Sequence, residues 1–140
     1  MTDRERLLEQ LRADEGFGRH PYRDTVGKLT IGYGRNLDDV GLSEAEARFL
    51  LDNDITVAVD AVFTRLPWHV HLNAARRAVL YAMAFNLGIG GVLKFRKMLA
   101  AAEASDCVGA AREMLDSKWA GQVGDRARRL AEQMETGRWN

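Results

Sequence analysis

Cysteine is almost absent from this chain. Cys107 stands alone, which excludes an internal disulfide and requires a fold that holds without covalent staples, as suits a reducing cytosol. It reads as a small buried hydrophobe rather than a catalytic thiol. Proline occurs twice, as Pro21 and Pro67, so no proline-rich linker divides the chain. Net charge is missing as well: 20 Lys and Arg balance 20 Asp and Glu. The total therefore encodes no long-range attraction to nucleic acid or anionic membranes. Long apolar runs are also lacking. The longest, Ala78 to Phe85, falls far short of the roughly 20 residues a membrane span needs. The opening "MTDRERLLEQ" has no apolar signal-peptide core, so export by the usual secretory route is not expected.

What is present suits one compact soluble domain over residues 1–140: 46% hydrophobic and 29% charged residues, with no repeat or low-complexity tract. Charge is uneven along the chain. Up to Asp54 there are 8 basic and 12 acidic residues, a net of −4, and the remainder carries +4. Residues 4–15 read as a helix, with Leu7, Leu8 and Leu11 on one side and Gly16 as its stop. Between about 17 and 40, glycines interleave with Thr, Tyr, Ile and Leu, the pattern of short strands and turns. Ser43 followed by Glu46 is a capping box that opens a helix over 44–65, ended by Leu66 and Pro67. "LNAARRAVLYAMAFNLGIGG" is apolar on nearly every face and predicts a central buried helix closed by Gly88, Gly90 and Gly91. Shorter helices are expected at 92–103, 106–116 and 125–136. The fold class is α+β and mostly helical, with a small sheet near the N-terminus flanking a cleft.

The densest chemistry lies in "DEGFGRHPYRDTVGKLTIGYGR", residues 14–35. With a turn centred on Gly27, antiparallel pairing would match Val26 with Lys28, Thr25 with Leu29, and Asp24 with Thr30. That register sets Asp24 directly opposite Thr30 on one face, with Cβ atoms about 5 Å apart, so that carboxylate and hydroxyl could hold a water between them. A one-residue slip would separate them. Glu15 ends the first helix, where the negative end of the helix dipole favours the protonated carboxyl. One acid held neutral and one held ionised is the division of labour used to cleave a glycosidic bond.

These residues closely resemble the catalytic segment of the T-even-phage-type lysozymes, glycoside hydrolase family 24. "DEG" followed by "YRDTVGKLTIGYG" places Glu15, Asp24 and Thr30 at the family's Glu, Asp and Thr positions. "RRAVLYAMAFNLGIGGVLKFRKML" and "SKWAGQVGDRARRLAEQMETGRW" resemble its central and closing segments. The resemblance implies Glu15 as the acid, Asp24 and Thr30 as the water-holding pair, and Arg126 as the cation that approaches Glu15. It further implies cleavage of the peptidoglycan glycan strand at the β-1,4 bond between N-acetylmuramic acid and N-acetylglucosamine. Inversion at the sugar carbon is the expected outcome, because Thr30 is no nucleophile for a glycosyl intermediate. A phage or prophage endolysin of this kind would be a monomer, held in the host cytoplasm until a separate holin-type protein releases it to the wall. A lytic transglycosylase and an inactive wall-binding module are the alternatives. Arg35 stands where relatives usually carry His, so an ion pair made there would have no pH switch.

The resemblance places Phe85 and Asn86 at the floor of the sugar cleft, as substrate-binding residues, although Phe85 also fits core packing. Trp119, Trp68 and Trp139 read as packing residues. His69 and His71 have no third ligand nearby, so neither a metal site nor a cofactor is expected. His20 is expected in solvent, and the glycines of "GYG" match no phosphate-binding loop.

Overall fold

The computed structural model describes residues 1–140 as two compact units, Met1–Phe49 and Leu50–Asn140. The order of elements is α1 (Asp3–Glu15), β1 (Gly18–Arg23), β2 (Leu29–Gly32), β3 (Arg35–Asn36), α2 (Glu44–Arg65), a 3-10 turn (Pro67–His71), α3 (Ala74–Val92), α4 (Arg96–Glu103), α5 (Cys107–Leu115), α6 (Lys118–Val123) and α7 (Asp125–Thr136). The mostly helical α+β class is as expected.

In the first unit, α1 starts on a capping box that supplies two partners for orphan helix-end groups. The Glu5 N–H donates to Thr2 Oγ1 at 3.1 Å, and the Thr2 N–H donates to the Glu5 carboxylate at 2.6 Å. The helix ends where the Gly16 N–H donates to the Arg12 carbonyl. None of its residues is buried, and Leu7, Leu8 and Leu11 stay about half exposed. The three strands form an antiparallel sheet in the order β1-β2-β3. Strand β1 bulges: Arg19, His20 and Pro21 lie between the pairs Gly18–Gly32 and Tyr22–Thr30, against Ile31 alone on β2. Pro21 has no N–H to give the ladder, which suits it to a bulge. Helix α2 opens on the Ser43–Glu46 box, with both reciprocal bonds formed at 2.9 and 3.1 Å.

The second unit is built around α3. Val79, Leu80 and Met83 on α3, Val62 on α2, Met98 on α4, Met114 on α5 and Met134 on α7 are almost wholly buried. Small residues Ala110, Ala111, Ala127 and Ala131 lie between these larger ones and let α5 and α7 approach closely. Truncating a methionine as buried as Met83 to alanine is expected to cost about 2–5 kcal/mol.

Two elements differ from the expected boundaries. Gly88 breaks α3 with φ +73°, a conformation open to glycine, but helical residues resume and run to Val92. That continuation delays α4 to Arg96. The 3-10 turn at Pro67–His71 and the six-residue α6 are additional elements. Ser117 opens α6 by accepting from the Ala120 N–H at 3.1 Å, a cap whose helix is too short for a hydrophobic period to reveal.

Candidate active site

The first unit contains Glu15, Asp24 and Thr30. Glu15 is the last residue of α1 and is exposed. Its carboxyl lies against the turn between β2 and β3. A Cβ added to Gly34 would stand 2.6 Å from Glu15 Oε2 and 2.8 Å from its Cδ. Gly34 has φ +72°, so the backbone there favours glycine independently of the contact. The neighbouring Tyr33 is joined to α1. Arg12 Nε donates to Tyr33 Oη at 3.3 Å, and the guanidinium carbon lies 5.5 Å from the ring centroid. The Phe17 ring packs on the same tyrosine, with centroids 5.5 Å apart.

The hairpin register requires correction. Tyr22 pairs with Thr30 and Arg23 with Leu29, and the Asp24 N–H donates to the Lys28 carbonyl at 2.9 Å. Asp24 therefore sits opposite Lys28, not opposite Thr30 as expected. The cause is the Asp24 side chain. Its Oδ1 accepts from the Val26 N–H at 3.0 Å and the Lys28 N–H at 2.8 Å, while the Gly27 N–H donates to the Asp24 carbonyl at 3.0 Å. An aspartate that captures nearby backbone donors closes the turn over residues 24–27 and moves its centre towards the N-terminus. The pairing moves by two residues, an even number, so the alternation of faces is preserved and Asp24 becomes diagonal to Thr30. Thr30 is only 3% exposed. Its Oγ1 donates to the Lys28 carbonyl at 2.9 Å, which leaves the hydroxyl lone pairs as acceptors.

The loop after β3 is held by charge-assisted contacts. The Leu29 N–H donates to Asp38 Oδ2 at 2.8 Å, and Lys28 Nζ lies 3.1 Å from Asp39 Oδ1. Hydrogen bonds from Lys28 and Asn36 hold the Asp39 carboxyl below its ordinary pKa. Arg35 binds Glu46 through both guanidinium arms. Its Nη1 donates to Glu46 Oε1 at 2.9 Å and to the Gly41 carbonyl at 3.0 Å, and its Nη2 donates to Glu46 Oε2. Hydrogen bonds from Arg35 first, then from Ser43, lower the Glu46 pKa to about 2. The residue in the place of the family His thus forms an ion pair in which the cation keeps its charge at any ordinary pH.

In the second unit, Phe85 is 46% exposed, which overturns core packing for it. It borders an apolar cavity of about 410 Å³ with Leu51, Ile55, Ala78, Tyr81 and Trp139. Trp139 is 67% exposed, so the packing role expected of it is also corrected. Asn86 is exposed, and its Oδ1 accepts from Trp119 Nε1 at 2.9 Å. Trp119 itself is buried, with Phe95 edge-on to its ring at 5.9 Å. Arg126 is exposed on the first turn of α7. His69 is fully buried between the Leu66 carbonyl at 2.7 Å and Tyr81 Oη at 2.8 Å. His71 Nε2 lies 3.1 Å from the Glu103 carbonyl oxygen. His20 is exposed, as expected.

Tyr33 and Gly34 join Glu15 only in the folded chain. No local signal in "GYG" points to Glu15, because its adjacency to the acid depends on the path of the chain through β2.

Comparison with known proteins identifies the family. The phage lysozyme family model matches residues 12–134. Two proteins of Dictyostelium discoideum, named probable T4-type lysozyme 1 and 2, are 28% and 29% identical to the chain. The alignments cover 96% and 94% of both partners. The pre-baseplate central spike protein Gp5 of Enterobacteria phage T4 is 30% identical over 94% of this chain, which spans 28% of that protein's length. A mostly helical chain with one small three-stranded antiparallel sheet, and a family match running from Arg12 to Met134, lead to one assignment: the chain belongs to the phage lysozyme family and is a glycosidase of the lysozyme type, with peptidoglycan as the substrate.

Proposed function

We propose that the chain is a single-domain muramidase that hydrolyses the β-1,4 bond between N-acetylmuramic acid and N-acetylglucosamine, with inversion, to lyse a bacterial host. The observation that carries the reading is Asp24 and Thr30 on one hairpin, in the same unit as an exposed Glu15. Glu15 donates the proton to the leaving glycosidic oxygen. Asp24 Oδ1 is occupied by two backbone N–H groups, so Oδ2 is the oxygen left to act as base. The Thr30 hydroxyl already donates to Lys28 and meets the nucleophilic water as an acceptor. A water giving one hydrogen to Asp24 and one to Thr30 directs its lone pair at the sugar carbon from the face opposite Glu15.

In this reading Arg126 is a supporting cation, and Phe85 and Asn86 contact the sugar. Asn86 does so through its amide N–H₂, since its oxygen is held by Trp119. No cofactor takes part. The enzyme works as a monomer and waits in the host cytoplasm for a holin-type protein to open the way to the wall. NMR of the first-released anomer, run beside turbidity clearing of permeabilised cells, tests the proposal. An α-anomer is expected; a retained β-product overturns inversion, and an anhydro sugar in the products replaces hydrolysis by transglycosylation.

A further inference from the structure

We propose that the Tyr33–Gly34 turn is the seat of the Glu15 carboxyl: Gly34 leaves bare backbone for the acid to lie against, and Tyr33 ties that turn to the helix carrying it. The inference rests on the assignment of Glu15 as the acid.

A Cβ on Gly34 would lie 2.6, 2.8 and 3.2 Å from Oε2, Cδ and Cγ of Glu15, closer than non-bonded heavy atoms pack. The end of a glutamate is flexible, so a methyl group there is accommodated by swinging the carboxyl away. The fold survives and the acid is displaced. Gly32, two residues earlier, has nearly the same φ, +67°, but open space where its Cβ would point. The two glycines therefore separate backbone strain from contact with the acid.

Tyr33 is gripped from both sides of Glu15 in the chain. Arg12, one helical turn before the acid, reaches its hydroxyl and covers its ring, and Phe17, two residues after, packs on the same ring. This grip fixes the distance between the end of α1 and the turn beneath it. Proton delivery is sensitive to such placement: a displacement of about 1 Å can cost on the order of 10²-fold in rate. Tyr33 and Gly34 are thus positioning residues that act through Glu15.

The test compares Gly34→Ala, Gly32→Ala, Tyr33→Phe and Glu15→Gln by kcat, KM and the pH profile of kcat on soluble, uncross-linked peptidoglycan strands, with folding checked by circular dichroism. Gly34→Ala is expected to lose about 10²-fold in kcat with KM held within about twofold, and to move the alkaline limb of the profile. Gly32→Ala keeps kcat within about threefold, and Tyr33→Phe, which keeps the ring contacts but loses the hydrogen bond from Arg12, falls about fivefold. Gly34→Ala that folds and keeps the kcat and pH profile of the wild type overturns the proposal. Should Gly34→Ala not fold, Tyr33→Phe decides: wild-type kcat overturns it, and a fall at unchanged melting temperature supports it. An active Glu15→Gln removes the acid assignment itself, whereas an inactive one beside a fully active Gly34→Ala removes only the seat.

Discussion

The Asp24 carboxylate accepts the backbone N–H of Lys28 at 2.8 Å, so a residue of the proposed catalytic pair is also the clasp of its own turn. Structure and chemistry separate by substitution. Asp24→Ala loses the bonds to Val26 and Lys28 and is expected to destabilise the fold by about 1–2 kcal/mol in urea unfolding. Asp24→Asn keeps an acceptor oxygen for the turn and should stay within about 0.5 kcal/mol of the wild type. Its lytic rate should nevertheless fall by about 10²-fold or more, because the amide is no base. Equal stability losses in both variants would show that the turn depends on the charge.

Glu15→Gln is expected to preserve stability within about 0.5 kcal/mol, since the side chain is exposed. Clearing of permeabilised cells should slow by about 10²–10⁴-fold, the contribution of a positioned acid. Lysis at the wild-type rate by a folded Glu15→Gln protein would remove the assignment.

Acid should weaken the Arg35–Glu46 pair over a defined window. The folded-state pKa of Glu46 is depressed from 4.5 to about 2, so its stabilising contribution is fully present above about pH 4.5. It is lost as pH falls from there through about 2. Melting curves of wild type and Glu46→Gln should differ at neutral pH and converge as pH drops through that window. The pair is exposed to salt as well as to acid, and the neutral-pH gap should narrow in concentrated NaCl. A gap constant from neutral pH down to pH 2 would refute this account.

Tyr81→Phe removes the partner of a fully buried imidazole nitrogen, since Tyr81 Oη lies 2.8 Å from His69 Nε2. The expected cost is about 1–3 kcal/mol. Activity of the folded fraction should be unchanged. A calorimetric loss under about 0.3 kcal/mol would mean that the nitrogen finds another partner.

Where a local rule operates alone, the sequence was readable. Ser43 and Glu46 marked the start of α2, Gly16 the end of α1, and the Glu15, Asp24 and Thr30 spacing marked the family. The hairpin register was not readable from the position of Gly27, because a side chain of the same turn competed for the backbone donors. Phe85 shows a second limit. Eight apolar residues in a row predict burial, but a helix has a circumference, and this residue falls on a half-exposed part of it. Tyr33 and Gly34 illustrate a third, since contact with Glu15 across nearly twenty residues is a property of the folded path.

Glu46 Oε1 accepts from both the Ser43 N–H and Arg35 Nη1, and that shared atom has a consequence in time. The first turn of a helix is its costly nucleus, and here a contact that lowers that cost is the contact that ties down the outer strand. Helix initiation and closure of the sheet edge are then expected to fall in one kinetic step. Substitutions at Ser43 and at Arg35 should slow refolding by matching fractions of their equilibrium effects, so that neither the sheet nor the start of α2 forms ahead of the other.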